Sequence, residues 1–154
     1  MYLGIVSSDG RKAPLIPIPR VAKIDSDVYI EILAKNLVPW LKTNFPEEKY
    51  LFQQDGAPPH ISNKTQAWLA KHVKNFIPKQ LWPPSSPDLN PLDFGIWGIM
   101  TDRLQGKKYS NLKEFDAAIQ KVWAELPEAK IKSTCLSFRR RIRQVIENEG
   151  GQFE

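Results

Sequence analysis

The chain has 154 residues, enough for one domain that buries about two-thirds of its unfolded surface. Its 42% hydrophobic and 25% charged residues exclude wholesale disorder, while a net charge of +5 and a sequence pI near 9.3 lean toward polyanionic partners. One cysteine and two histidines exclude an internal disulfide, a cysteine-rich zinc site and a histidine-rich metal centre, leaving carboxylate sites for hard cations open.

No apolar run reaches membrane-spanning length and no signal-like segment precedes the first strand, so the chain reads as intracellular and soluble. Met1 to Val6 reads as a strand, Asp9-Gly10 as a hairpin turn, and Leu15 to Pro19, interrupted by proline, as an edge strand. Asp9 is accordingly a turn residue. Asp25 or Ser26 caps a helix to about Lys42, with Tyr29, Ile32, Leu33, Leu37, Trp40 and Leu41 at helical spacing and Pro39 interrupting it.

The apolar run Tyr50-Leu51-Phe52 then reads as a buried strand that delivers Asp55 to a sheet end, where Gly56 and Pro58-Pro59 turn the chain. Ser62 or Asn63 caps a helix to about Val73, with Ala67 and Trp68, and Lys71 beside them, toward the sheet. Residues 75–78 read as a short last strand. Three prolines between Trp82 and Asn90 exclude regular structure there, and Asn90, Pro91 and Asp93 then form a complete helix start. That helix runs through Ile96, Trp97 and Met100 to about Leu104, and a basic connection follows.

Asn111 and Glu114 open a helix with the stripe Leu112, Phe115, Ile119, Val122 and Leu126, closed by Pro127. One last helix is expected from about Glu128 to Glu149, with Ile131, Cys135, Phe138, Ile142 and Val145 on one face. It carries Arg139, Arg140, Arg141 and Arg143, and Gly150-Gly151 stops it. The order predicts an α/β domain with mixed strand directions, residues 1–105 holding the sheet and 106–154 a helical part.

Asp55 at a strand end and Asp93 on a helix's first turn are the two carboxylates set for solvent-facing work. Two convergent aspartates can hold Mg²⁺, and a divalent pair about 3.5–4 Å apart activates a nucleophile and stabilises the leaving oxygen in phosphodiester chemistry. The segment Gln53-Gln54-Asp55-Gly56-Ala57-Pro58-Pro59-His60, followed by residues 82–93 (WPPSSPDLNPLD), resembles the catalytic domain of mariner-type transposases. The flanking segments Ser7 to Lys12 and Phe138 to Gly151 are similar to the family as well, so the resemblance covers essentially the whole chain.

The resemblance implies a ribonuclease H-like fold with three acidic residues, Asp55 the second and Asp93 the third, both binding Mg²⁺ or Mn²⁺. Asp88 then fixes the loop, and His60 either contacts the scissile phosphate or positions the loop. It also implies DNA as partner, both transposon ends and target, and a nuclear location. Arg139, Arg140 and Arg141, with Arg143 and Lys107-Lys108, are candidates for phosphate contact, against a plain solvated helix face.

The family's first aspartate, on the central strand, lies upstream of the segment that begins here at Met1, and Asp9, Asp25 and Asp27 do not replace it. The chain therefore reads as a fragment with open sheet edges, weak or absent metal binding and no activity alone. Alternatives are a non-catalytic nucleic-acid binder, or an interaction protein that self-associates through those edges.

Overall fold

A computed structural model describes residues 1–19 and 23–149, in which the chain is mixed α/β and mostly helical. Among the described residues, the expected mixed sheet is reduced to one two-stranded antiparallel pair and two isolated bridges. Two compact units hold the described residues: Met1 with those of Ile18–Ser86, and Tyr2–Pro17 with those from Pro87 on. The division falls at Ser86/Pro87, and the N-terminal hairpin groups with the C-terminal helices.

In the hairpin, β1 (Tyr2–Leu3) pairs with β2 (Ile16–Pro17), Tyr2 opposite Pro17 and Leu3 opposite Ile16. Nearer the turn, Val6 faces Lys12, a register one residue out of step with the strand pair. The extra residue falls between Lys12 and Ile16, where Pro14 has no N–H to give a ladder, which is why two longer strands do not form. Asp9-Gly10 makes the turn as expected. Gly10 has φ +103°, and a Cβ there would lie 2.8 Å from the Glu128 carbonyl oxygen, so the turn requires glycine twice over.

In the first unit, α1 (Ser26–Ile32) continues through a π-helical stretch, Leu33–Leu37, into α2 (Val38–Asn44). Asp25 caps α1 by accepting from the N–H groups of Asp27 and Val28. The interruption expected at Pro39 takes the form of this widened turn. Proline cannot donate to the carbonyl four residues back, and the Val38 N–H bonds Leu33 O instead. Tyr29, Leu33, Leu37 and Leu41 form the buried stripe, with Ile32 and Trp40 half-buried beside it.

After a short helix α3 (Pro58–Ile61), α4 (Asn63–His72) is capped by Ser62. Its buried positions are Thr65 and Leu69, continuing to Val73, whereas Ala67 and Lys71 are exposed and Trp68 only half-buried. The expected face was wrong because Thr65 reads as polar. Its hydroxyl is satisfied internally, so it can occupy a core position.

The segment before Asp55 is not a buried strand. Phe52 makes a single parallel bridge to Phe76, bonding Asn75 O and the Ile77 N–H at 2.9 Å each, and Leu51 is 64% exposed. With one partner segment among the described residues, the run lacks the two-sided cover that a central strand needs.

The second unit contains a 3₁₀ turn, Pro87–Leu89, leading into a helix that opens as a π turn (Leu92–Ile96) and continues as α5 (Trp97–Leu104). Pro87–Leu89 lies inside the proline-rich stretch, which is therefore less irregular than expected, and another 3₁₀ turn, Lys79–Leu81, precedes it in the first unit. α6 (Leu112–Ala124) is capped by Asn111, and Glu114 answers at the Ser110 N–H. Its core face is Ile119, Val122 and Trp123, while Leu112 is exposed. The Trp123 indole donates to Ala13 O at 2.8 Å and packs on Trp97, and Gly4 leaves room for both rings.

The expected last helix is two: α7 (Glu128–Leu136) and α8 (Phe138–Glu147). At the break, the Ser137 hydroxyl donates to Thr134 O at 2.7 Å, competing with the helical ladder. α8 ends at Glu147, and the expected stop at Gly150-Gly151 lies outside the described residues.

Candidate functional site

In the first unit, Asp55 stands where the chain leaves the Phe52–Phe76 bridge and turns into α3. Its Oδ1 accepts the Ala57 N–H at 3.0 Å and lies 2.6 Å from Nδ1 of His60. An ionised carboxylate can only accept, so Nδ1 is assigned the proton that it donates. The His60 hydrogen bond holds the Asp55 carboxyl below its ordinary range; partial burial opposes this, and the Ala57 N–H and the His60 charge support it. Both hydrogen bonds go to Oδ1, so Oδ2 accepts none among the described residues, and the side chain is 41% exposed. The result is an ionised hard-oxygen donor with one oxygen held and one open.

His60, 19% exposed, is itself clamped. Its ring stacks on Tyr29 with centroids 4.0 Å apart and planes 28° apart. Its carbonyl accepts from Gln54 Nε2 at 2.9 Å and Gln66 Nε2 at 3.0 Å, and the Tyr29 hydroxyl donates to Gln54 Oε1 at 2.9 Å. Burial pushes the Tyr29 phenol well above its ordinary pKa, with the Asp55 charge adding, so it remains a neutral donor. Tyr29, Gln54 and Gln66 escaped the sequence reading. Tyr29 is simply one apolar position on a helix stripe, and the Gln53-Gln54 pair before Asp55 was the one available signal.

In the second unit, Asp93 occupies the first helical turn as expected and is exposed. Asn90 Oδ1 accepts the Leu92 N–H at 3.3 Å, and Asn90 Nδ2 donates to Asp93 Oδ2 at 2.9 Å. Asp93 answers the cap through the Asn90 side chain. Asp88 lies in the preceding 3₁₀ turn, where its carbonyl accepts from Arg141 Nη1 at 3.2 Å. The Arg141 guanidinium also sits 4.0 Å over the Phe94 ring, so this arginine ties α8 to the turn bearing Asp93. Arg139, Arg140 and Arg143 are exposed, as are Lys107 and Lys108. Among the described residues, no group of three or more His, Cys, Asp or Glu side chains gathers to hold a metal ion.

No protein-family model matches the chain. It is 32% identical over 143 residues to the transposable element Tcb1 transposase of Caenorhabditis briggsae, covering 93% of this chain and 50% of that protein. It is 30% identical over 131 residues to the Tc3 transposase of Caenorhabditis elegans, covering 84% of this chain and 38% of that protein. The chain thus spans about half the length, or less, of the curated relatives it matches.

Among solved structures, the fold is similar to the Mos1 mariner paired end complex with Mn, with a TM-score of 0.83 at 18% identity over 97% of this chain and 43% of that one. The Mos1 mariner transposase catalytic domain is similar with a TM-score of 0.78 at 17% identity, over all of this chain and 82% of that one.

Proposed function

We propose that this chain, which is homologous to the Tc1/mariner transposases, forms part of a ribonuclease H-like catalytic domain that cuts DNA at transposon ends and joins the freed 3′ ends to a target. The observation that carries this reading is Asp55: ionised, held through one oxygen by His60 and Ala57, and open at the other. Asp55 and Asp93 each serve as a carboxylate ligand of a divalent cation, Mg²⁺ or Mn²⁺, the ions bound in the Mos1 catalytic-domain structures. Both are oxygen donors of the hard type those ions take. When bound, the metal activates the attacking oxygen and stabilises the leaving one. His60 keeps Asp55 ionised and oriented, and Arg141 holds the turn from which Asp93 projects.

The exposed Arg139, Arg140 and Arg143 supply phosphate contacts, and the protein works in the nucleus, where its DNA substrate is. The same arginines would serve a non-catalytic DNA-binding protein derived from a transposase, and only cleavage separates the two readings.

The test is a chimera joining the N-terminal part of a Tc1-type relative to residues 1–154. It should cleave transposon-end DNA with Mg²⁺ or Mn²⁺, and Asp55→Ala or Asp93→Ala should abolish cleavage while end binding persists. A chimera that binds ends and cleaves equally well with either substitution would overturn the catalytic assignment.

A further inference from the structure

We propose that Tyr29 is a positioning residue for Asp55, acting through the ring and carbonyl of His60. This rests on the reading of Asp55 as a metal ligand. A histidine joined to a carboxylate by one hydrogen bond can pivot about that bond, carrying the carboxylate with it. Here two contacts remove that freedom. The Tyr29 ring, stacked at 4.0 Å, sets the plane of the imidazole. The Tyr29 hydroxyl fixes Gln54, whose amide in turn holds the His60 carbonyl, and Gln66 holds the same carbonyl from α4.

Tyr29 is 3% exposed and comes from α1, a different element from every other member of the cluster. Phenylalanine would fill the same space, but only a phenol supplies the hydrogen bond that orients Gln54. With the imidazole held, Asp55 Oδ1 stays occupied and Oδ2 stays turned out for a ligand. A tyrosine that merely fills the core would leave the His60 ring indifferent to its removal once the protein is folded.

Nitrogen-15 NMR of the histidine rings in the metal-free chain tests this, with His72→Asn removing the other histidine's signals. The His60 Nδ1 proton should exchange slowly in the wild type and about twofold faster in Tyr29→Phe, which keeps the stack but loses the bond to Gln54. In Tyr29→Leu, exchange should accelerate about three- to tenfold, the loss expected for an aromatic pair. If Tyr29→Leu does not fold, Tyr29→Met makes the same comparison at similar volume.

A folded Leu or Met variant with unchanged exchange overturns the proposal. Broadening of the Ala57 amide by Mn²⁺ separately tests the metal reading. Its absence in the wild type, with the exchange differences intact, would sink that reading and leave the positioning role standing.

Discussion

The Thr65 hydroxyl, fully buried, donates to the Pro59 carbonyl at 2.6 Å, so the core face of α4 closes the turn that carries His60. The same oxygen accepts from the Ser62 hydroxyl, which in turn caps α4. Thr65→Val keeps the shape and leaves the Pro59 carbonyl only the long 3.4 Å bond from the Ser62 hydroxyl, and should cost about 1–3 kcal/mol in urea unfolding. Thr65→Ser, which keeps the hydroxyl, should cost less than the valine. A valine variant as stable as the wild type would refute this account of why a threonine occupies the core.

Gly95 lies two residues after Asp93, and a Cβ there would come within 2.5 Å of Thr134 Cγ2. Gly95→Ala should therefore destabilise the chain by about 1–3 kcal/mol. Thr134→Ser removes the clashing methyl, so the double variant should recover most of that loss. Additive losses in the two-site cycle would show that the methyl contact is not the cause.

Asp9 sets the hairpin turn, accepting from the Ser7 hydroxyl and, at 3.1 Å, from the Arg11 N–H. Partial burial pushes its carboxyl up, but these bonds and the Arg11 charge prevail and hold it below 3.8. Its folded-state value is therefore the depressed one. The stabilisation is present above about pH 4 and is lost as pH falls through the folded value. The side chain is exposed enough that the effect should be about 0.5 kcal/mol or less. Comparing urea midpoints at about pH 6 and about pH 3 should show a smaller acid loss in Asp9→Asn than in wild type, and equal losses would contradict the assignment.

Cys135 sits on the apolar face of α7, where burial, with the Asp9 charge adding, pushes its thiol up to about 11 from 9.0. The thiolate fraction near pH 8 should fall about a hundredfold, and labelling by a disulfide reagent should slow to match. Labelling in urea should recover the ordinary rate. A fast native reaction would place the thiol outside the core.

Local chemistry was legible in the residues. The caps at Asp25, Ser62, Asn90 and Asn111, the Asp9-Gly10 turn and the limits of α5 and α6 each depend on a few neighbouring side chains. Tertiary relations were not. Thr65 looked like surface because its hydrogen-bond partners are invisible in a periodicity count. Ser137 looked like a helix interior because its competing bond to Thr134 is a matter of rotamer. Arg141 looked like one of four equivalent arginines until Asp88 and Phe94 came to lie beneath it. Asp55, His60 and Asp93 were singled out from a motif, whereas Tyr29 reaches His60 only through the packing of α1 on α3 and α4.

The most direct test of the central claim is a Mn²⁺ titration of the ¹⁵N-labelled chain, read as paramagnetic broadening at each amide. Weak binding, about millimolar, should broaden Gly56 and Ala57 and the amides flanking Asp93 ahead of the other acidic positions. Asp55→Asn should remove the first set and Asp93→Asn the second. Uniform broadening across the acidic surface, or selective broadening that survives Asp55→Asn, would contradict the assignment of these two carboxylates as metal ligands.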